Sequence, residues 1–394
     1  MTFGSAPALL FDLRAIQPRS SEYHGGAEYG KAVARALCQA GVRDVSAFFD
    51  PRFKIDDEII RMVSAAGWVV HKAEGIGEVG RLLARLRPNR FFSALPYEYA
   101  HMDFSVTEFI GTIHGLRPVE MPADRYAARY AQTTYEWLKC WIRFFGRHAY
   151  AAIKAAEFAA LVSVRARRRT FIVPSEFTRS SVLAHCQDAN SSEITVLYSP
   201  RTSLAANPRA KAFSPTRWGL ERRRYVLIVS ADRWVKNTYR ALYAIERLYR
   251  RLPETHRWPV AVVGQFPIRF PARWNRMFRF IGRCETDVLA GLFASAGALL
   301  YPTLNEGFGY PPVEAMSYGT PVIASAISAV PEIARDGAVY FSPHETFDIE
   351  ARLGWLLTDE SARLELSAAA LKRYTEIERR QEADLEKLCR FLIQ

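Results

Sequence analysis

Two carboxylates, Glu306 and Glu314, flank two glycines in the run Pro302-Thr303-Leu304-Asn305-Glu306-Gly307-Phe308-Gly309-Tyr310-Pro311-Pro312-Val313-Glu314. The glycines allow a tight loop and close approach of backbone to a ligand, and the prolines suit the first turn of a helix. A carboxylate only accepts hydrogen bonds, whereas N–H groups at a helix start favour anions. The set therefore suits a ligand with several hydroxyls and a phosphate, which is the chemistry of a nucleotide sugar. A plain Gly-rich turn with Glu314 complementing a helix dipole fits the spacing equally well. A second station is Val229-Ser230-Ala231-Asp232-Arg233-Trp234-Val235-Lys236-Asn237. Arg233 and Lys236 stand where a helix begins, and cations there oppose the dipole unless an anion such as a diphosphate bridges them. The alternative is a solvated surface pair. Weaker signals are Gly25-Gly26, which open a helix-period segment, and His114, just past an apolar run. Both also read as ordinary structural residues.

Elements able to place these residues alternate along the chain. Strand-like runs at Ala8–Leu13, Val45–Phe49, Trp68–His71, Phe91–Leu95, Phe109–Ile113, Phe171–Val173 and Ile194–Tyr198 form one series. A second comprises Tyr225–Ser230, Val260–Val263, Ala298–Tyr301, Val322–Ser325 and Ala338–Phe341. Helix-period segments fall between them, the signature of βα units around parallel sheets. Leu242, Ile245, Leu248 and Leu252 recur at three or four residues, giving one apolar stripe for a sheet. The stretch Ser199–Arg224, rich in Pro, Ser and Arg, lacks either period and reads as the linker. Leu385, Leu388 and Leu392 suit a closing helix. The reading is an α/β protein of two domains.

Composition narrows the class. A chain of 394 residues with 49% apolar and 24% charged residues folds, and its length implies two cores. Five dispersed cysteines, with no CxxC pair, point to a reducing compartment and no structural zinc. There is no basic leader and no apolar run of about 18 residues, so the expectation is a cytoplasmic chain without a spanning helix. The net charge of +12 favours an anionic partner. Lys139–Arg169 carries eight Lys or Arg against one Glu, interleaved with Trp141, Phe144, Phe145 and Tyr150. Arg269–Arg283 carries five Arg and no acid, with Phe270, Trp274, Phe278 and Phe280. Such mixtures suit an anionic membrane surface, with snorkelling arginines on ordinary amphipathic elements as the alternative. Nucleic acid is not expected, because no recognition motif accompanies the charge.

The twenty residues from Glu306 to Ser325 closely resemble the signature of retaining glycosyltransferases of family 4. Phe280-Ile281-Gly282-Arg283, Leu289–Ala298, Pro331-Glu332-Ile333 and Phe341-Ser342-Pro343 are similar to flanking family segments. The resemblance implies a GT-B fold of two Rossmann-like domains facing across a cleft, residues 1–203 with 376–394 forming the acceptor-side domain and 204–375 the nucleotide-sugar domain. Its C-terminal helix would return to the N-terminal domain. The same likeness implies that Glu314 binds the ribose, that Glu306 and the backbone of Gly307, Phe308, Gly309 and Tyr310 hold the transferred sugar, and that Arg233 and Lys236 bind the donor phosphates. Arg283 would lie near the base, Gly25-Gly26 would close over the diphosphate, and His114 would stand beside the donor sugar, although Gly115 replaces the family's Asp. The implied activity is metal-independent, retaining hexosyl transfer to a glycan or lipid-linked glycan acceptor in surface polysaccharide or glycoconjugate assembly. No cofactor is implied beyond the nucleotide-sugar co-substrate. Alternatives are a GT-B nucleotide-sugar epimerase and a non-catalytic nucleotide-sugar or lipid binder.

Overall fold

A computed structural model of the chain describes residues 6–17, 25–265 and 272–394. The strands are β1 (Leu9–Asp12), β2 (Val45–Phe49), β3 (Val69–Lys72), β4 (Arg90–Ser93), β5 (Phe104–Thr112), β6 (Ala166–Val173), β7 (Ile194–Val196), β8 (Val226–Ile228), β9 (Val260–Val263), β10 (Phe278–Ile281), β11 (Ala298–Tyr301), β12 (Val322–Ser325) and β13 (Ala338–Phe341). The α-helices are α1 (Gly25–Gln39), α2 (Asp57–Ala65), α3 (Gly75–Leu86), α4 (Arg117–Glu120), α5 (Thr134–Phe145), α6 (Arg147–Val162), α7 (Glu176–His185), α8 (Thr238–Tyr249), α9 (Thr286–Ser295), α10 (Tyr310–Met316), α11 (Val330–Ala334), α12 (Thr346–Thr358) and α13 (Glu360–Ile393).

The chain divides into two units. The first comprises Met1–Leu116, Ala152–Thr202 and Arg380–Gln394, and the second Arg117–Ala151 and Ser203–Arg379. The sequence reading puts the whole of 1–203 in the N-terminal domain, whereas Arg117–Ala151 groups with the second unit. The reason lies in part-buried polar contacts: Arg240 donates to Asp124 at 3.0 Å, and the Tyr239 N–H donates to the Tyr130 hydroxyl at 3.0 Å. The expected linker, Ser199–Arg224, contains two short 3-10 turns, Pro208–Ala212 and Thr216–Trp218.

In the first unit seven parallel strands lie in the order β3-β2-β1-β4-β5-β6-β7. Parallel strands covered on both faces require continuous apolar runs, and Leu9, Leu10, Phe11, Phe91 and Phe92 are fully buried. The end of α13 packs into this unit through Leu388 and Leu392, while Gln381 donates to the Ser199 carbonyl at 2.6 Å. The second unit holds six parallel strands in the order β10-β9-β8-β11-β12-β13. Its core joins Leu242, Ile245 and Leu248 of α8 to Leu353 and Leu356 of α12 over strand residues such as Ile228 and Val262.

Strand β10 was not among the expected runs. It is an edge strand whose central Arg279 and Phe280 are half-buried, so it shows no apolar run. Its neighbourhood also corrects the surface reading of 269–283. Trp274 and Phe278 are each 2% exposed and belong to the core, and the Trp274 indole donates to buried Glu246 at 2.9 Å. Arg269 and Phe270 lie outside the described residues. Trp274 and Phe278 therefore do not belong to a membrane-facing patch.

Candidate functional site

In each sheet the strand order reverses beside the first strand, between β1 and β4 in one and between β8 and β11 in the other. Such switch points leave a crevice beyond the carboxyl ends of the strands, where loops turn into helices. In the second unit the chain leaving β8 carries Arg233 and Lys236, and the chain leaving β11 carries Thr303 and Glu306. Parallel pairing of Leu299 with Leu227 aligns the two exits.

There the side chains meet. Lys236, only 5% exposed at its side chain, pairs with Glu306 Oε1 at 2.5 Å and donates to the Tyr301 hydroxyl at 2.9 Å. Thr303 Oγ1 donates to the same carboxylate oxygen at 2.8 Å, and Tyr301 also hydrogen-bonds Glu306. The Glu306 N–H donates to Ser328 Oγ at 2.9 Å, which ties the loop to the chain after β12. The Leu304 N–H donates to the Val235 carbonyl at 2.8 Å, so the β8 and β11 loops are stitched through backbone as well.

Burial drives the electrostatics. It pulls Lys236 down to about 8; Glu306 opposes that shift, while the charges of Arg233 and Arg117 add to it. Burial alone would lift the Glu306 carboxyl, but Lys236, Tyr301 and Arg233 outweigh it and hold the group below its ordinary value. The Tyr301 hydroxyl is pushed far up by burial and by the neighbouring carboxylate. At neutral pH the trio is ammonium, carboxylate and neutral phenol. Among the described residues, Glu306 and Tyr301 are the hydrogen-bond acceptors for the ammonium, which has three protons.

The remaining sequence candidates of this unit fall around that trio. Arg233 is exposed at the turn before Lys236, near enough for its charge to act on all three groups. Gly309 caps α10 with φ +91°, a conformation that favours glycine, and Tyr310, Pro311 and Pro312 begin the helix. Phe308 is buried and meets Tyr310 edge-on at 5.3 Å. Glu314 is buried on α10, close enough to act on Tyr301. Gly307 joins Glu306 to Phe308 in the loop. Arg283, after β10, is exposed and takes no part in the network among the described residues.

Three groups escaped the sequence reading. Tyr301 reads from the sequence only as the end of a strand. Gly264, directly after β9, has φ +119°, and a Cβ there would stand 2.8 Å from the Ala231 N. A glycine closing a fully apolar run was the available signal. Glu120, at the end of α4, accepts from Asn305 at 2.5 Å, next to Glu306; nothing in its local sequence signals this long-range contact.

The first unit carries the other candidates. His114 follows β5; its Nε2 lies 2.9 Å from the Ala94 carbonyl, which can only accept, so that nitrogen bears the proton. Its ring meets Tyr29 edge-on at 5.0 Å. Gly25 and Gly26 are the first residues of α1, with Gly26 packed so closely on Leu95 that a Cβ would come within 2.7 Å of its Cδ2. At this sheet's switch point, buried Asp12 accepts from Ser93 Oγ and the Tyr99 hydroxyl, each at 2.7 Å. Among the described residues no cluster of three His, Cys, Asp or Glu is arranged to hold a metal ion, and no helix is long and apolar enough to cross a membrane.

Residues 212–373 match the family described as Glycosyl transferases group 1, which covers the Lys236–Glu306 network. The O-antigen chain mannosyltransferase B of Escherichia coli is 26% identical over 235 residues, spanning 56% of this chain and 57% of that protein. The MMP alpha-(1->4)-mannosyltransferase of Mycolicibacterium hassiacum is 34% identical over 160 residues, 37% of each chain. The chain thus spans about half or less of the length of these curated relatives. Among solved structures, HepE of Anabaena in complex with UDP superposes with a TM-score of 0.65 at 12% identity over 98% of both chains. WaaG, a glycosyltransferase involved in lipopolysaccharide biosynthesis, gives 0.63 at 15% identity over 96% of this chain and 98% of its own. These likenesses establish the fold as GT-B, two Rossmann-like units with parallel sheets.

Proposed function

We propose that this chain is a glycosyltransferase that moves a hexose from a nucleoside diphosphate to an acceptor hydroxyl with retention of anomeric configuration, in the assembly of a surface polysaccharide. The observation that carries the reading is the buried Lys236–Glu306–Tyr301 network at the switch point of the sheet matched by the glycosyltransferase model. Loss of the diphosphate leaving group builds negative charge. Lys236, fixed by Tyr301 and Glu306, offers an ammonium proton to a phosphate oxygen, and exposed Arg233 adds a second cation. Charge fixed before the reaction lowers its barrier without reorganisation, and it is supplied here without recourse to a metal ion. Glu306 would orient sugar hydroxyls and Glu314 the ribose. The mannosyltransferase relatives make mannose the first sugar to test. A glycan or lipid-linked glycan acceptor and a cytoplasmic location complete the proposal.

The test is a panel of nucleoside diphosphate sugars, mannose donors first, screened for thermal stabilisation and then for transfer, with the product anomer read by proton NMR. The expected outcome is stabilisation by one donor, since a ligand that binds only the folded form raises the melting temperature. Transfer should retain the donor's anomeric configuration, and Lys236→Met or Glu306→Gln should lower turnover by about 100-fold or more. A chain stabilised by no nucleoside diphosphate or its sugar, or variants within a few-fold of wild type, would defeat the proposal.

A further inference from the structure

Helix α5 is built the wrong way round for a globular protein, because none of its residues is buried. Tyr135, Leu138, Ile142 and Phe145 recur at three and four residues and so share one stripe, and they are 73%, 51%, 64% and 76% exposed. Trp137, 50% exposed, flanks the stripe. Trp141 stacks on Phe145 at 5.9 Å and meets Phe144 edge-on at 5.7 Å, forming a ring cluster beside it. Lys139 borders the stripe, four residues after Tyr135 and three before Ile142, and Arg143 and Glu136 lie beyond it on the same side. Just past the helix, Arg147 lies over the Phe144 ring at 5.6 Å, and Arg143 lies over Tyr150 at 4.5 Å.

We propose that this face of α5 docks on the surface of an anionic lipid bilayer. Charge complementarity selects that occupant. From Thr134 to Tyr150 the cations are Lys139, Arg143 and Arg147 and the only acid is Glu136, in a chain whose net charge is +12. Apolar side chains reach the acyl boundary while cations and the polar edges of Trp and Tyr stay among the headgroups. At 12 residues the helix is too short to span a bilayer, so it lies on the surface. The docking goes beyond the proposed reaction and is independent of how the Lys236 site is read.

The full chain is sedimented with phosphatidylcholine vesicles and with vesicles that also contain phosphatidylglycerol, at low and high salt. Wild type should bind the mixed vesicles, release as salt rises, and bind phosphatidylcholine alone weakly. Ile142→Glu/Phe145→Glu should weaken binding about tenfold or more, and so should Lys139→Glu/Arg143→Glu. Because no residue of α5 is buried and Ile142, Phe145 and Lys139 are exposed, both variants should melt within a few degrees of wild type. Tyr135→Gln/Leu138→Gln serves as a gentler second pair should either unfold. Stabilisation by a nucleoside diphosphate, which reports the donor site, should be unchanged, so loss of that response with vesicle binding intact would indict the donor reading alone. The docking proposal is overturned if wild type stays unbound, if it binds both vesicle types alike, or if the variants bind as wild type does. It is equally overturned if sedimentation velocity shows the apolar stripe closing a dimer of this chain that Ile142→Glu/Phe145→Glu dissociates.

Discussion

Replacing Lys236 by methionine keeps most of its volume and removes the charge that Glu306 answers. The two side chains are 5% and 16% exposed and 2.5 Å apart, so the substitution strands a carboxylate in a largely dry site. Deleting one member of a buried pair costs about 3–5 kcal/mol. Here Thr303 and Tyr301 still donate to Glu306, and part of that carboxylate still meets water, which places the expected loss near the low end, about 3 kcal/mol. For a domain of this size the melting temperature should fall by about 6–12 °C. Adding Glu306→Gln removes the stranded charge while keeping an acceptor for Thr303. The double variant should therefore recover most of the loss, a coupling of about 2 kcal/mol in the mutant cycle.

The pH dependence carries the sign. In wild type Glu306 titrates below its ordinary value, so its contribution is present above the unfolded carboxylate range and is lost as pH falls through the folded value. Without Lys236 burial dominates and the carboxyl rises, so the deficit of Lys236→Met should shrink on acidification as Glu306 takes up its proton. Calorimetric melts at several pH values, with isothermal titration of a nucleoside diphosphate alongside, read both consequences. Stability should return in the double variant, whereas diphosphate affinity should not. If the single variant melts within about 1 kcal/mol of wild type and the cycle is additive, the two groups are not a buried pair and the argument fails.

Two further outcomes follow from the same geometry. With Lys236 titrating near 8, diphosphate affinity should fall by up to about tenfold per unit above that pH if its ammonium holds the phosphates as proposed; titration calorimetry giving constant affinity from pH 8 through pH ~9.5 would refute that role. Gly264→Ala places a Cβ against the Ala231 N at a backbone φ of +119°, so it should cost about 1–3 kcal/mol and loosen the β8 exit loop, seen as faster amide exchange over residues 230–237; unchanged exchange and stability would show that the contact gives way without strain.

How much of this could be read from the chain itself differs by element. Val260–Val263, Ala298–Tyr301, Val322–Ser325 and Ala338–Phe341 were legible to the residue: the first three are buried throughout, as a parallel strand covered on both faces must be, and the edge strand Ala338–Phe341 keeps an apolar run although Val339 and Tyr340 are half-buried. Strand β10 was hidden because an edge strand with Arg279 at its centre has no such run. The grouping of Arg117–Ala151 with the second unit was equally hidden. It depends on the Arg240–Asp124 pair and the Asn305–Glu120 bond, each joining residues more than a hundred positions apart. Lys236 and Glu306 could be picked out, since each follows a strand. Their pairing could not, since it rests on β8 lying beside β11 while β9 and β10 lie on the other side.

That strand order puts the proposed chemistry on the same contacts that stabilise the second unit. Lys236 leaves one half of the sheet and Tyr301, Thr303 and Glu306 leave the other, so the ion pair fastens the two halves at the place where backbone N–H groups already converge. A lysine free in solvent would lose side-chain entropy on meeting a diphosphate, whereas Lys236 has given up that freedom in the fold itself. The fold meets the desolvation cost of an almost fully buried ammonium with one carboxylate and one phenol, and the same two groups aim it. Improving the network for stability alone, by replacing the trio with well-packed apolar side chains, would remove the fixed charge that, on the proposed reading, stabilises the leaving group. On that reading the orientation of the charge matters as well as the attraction within the pair.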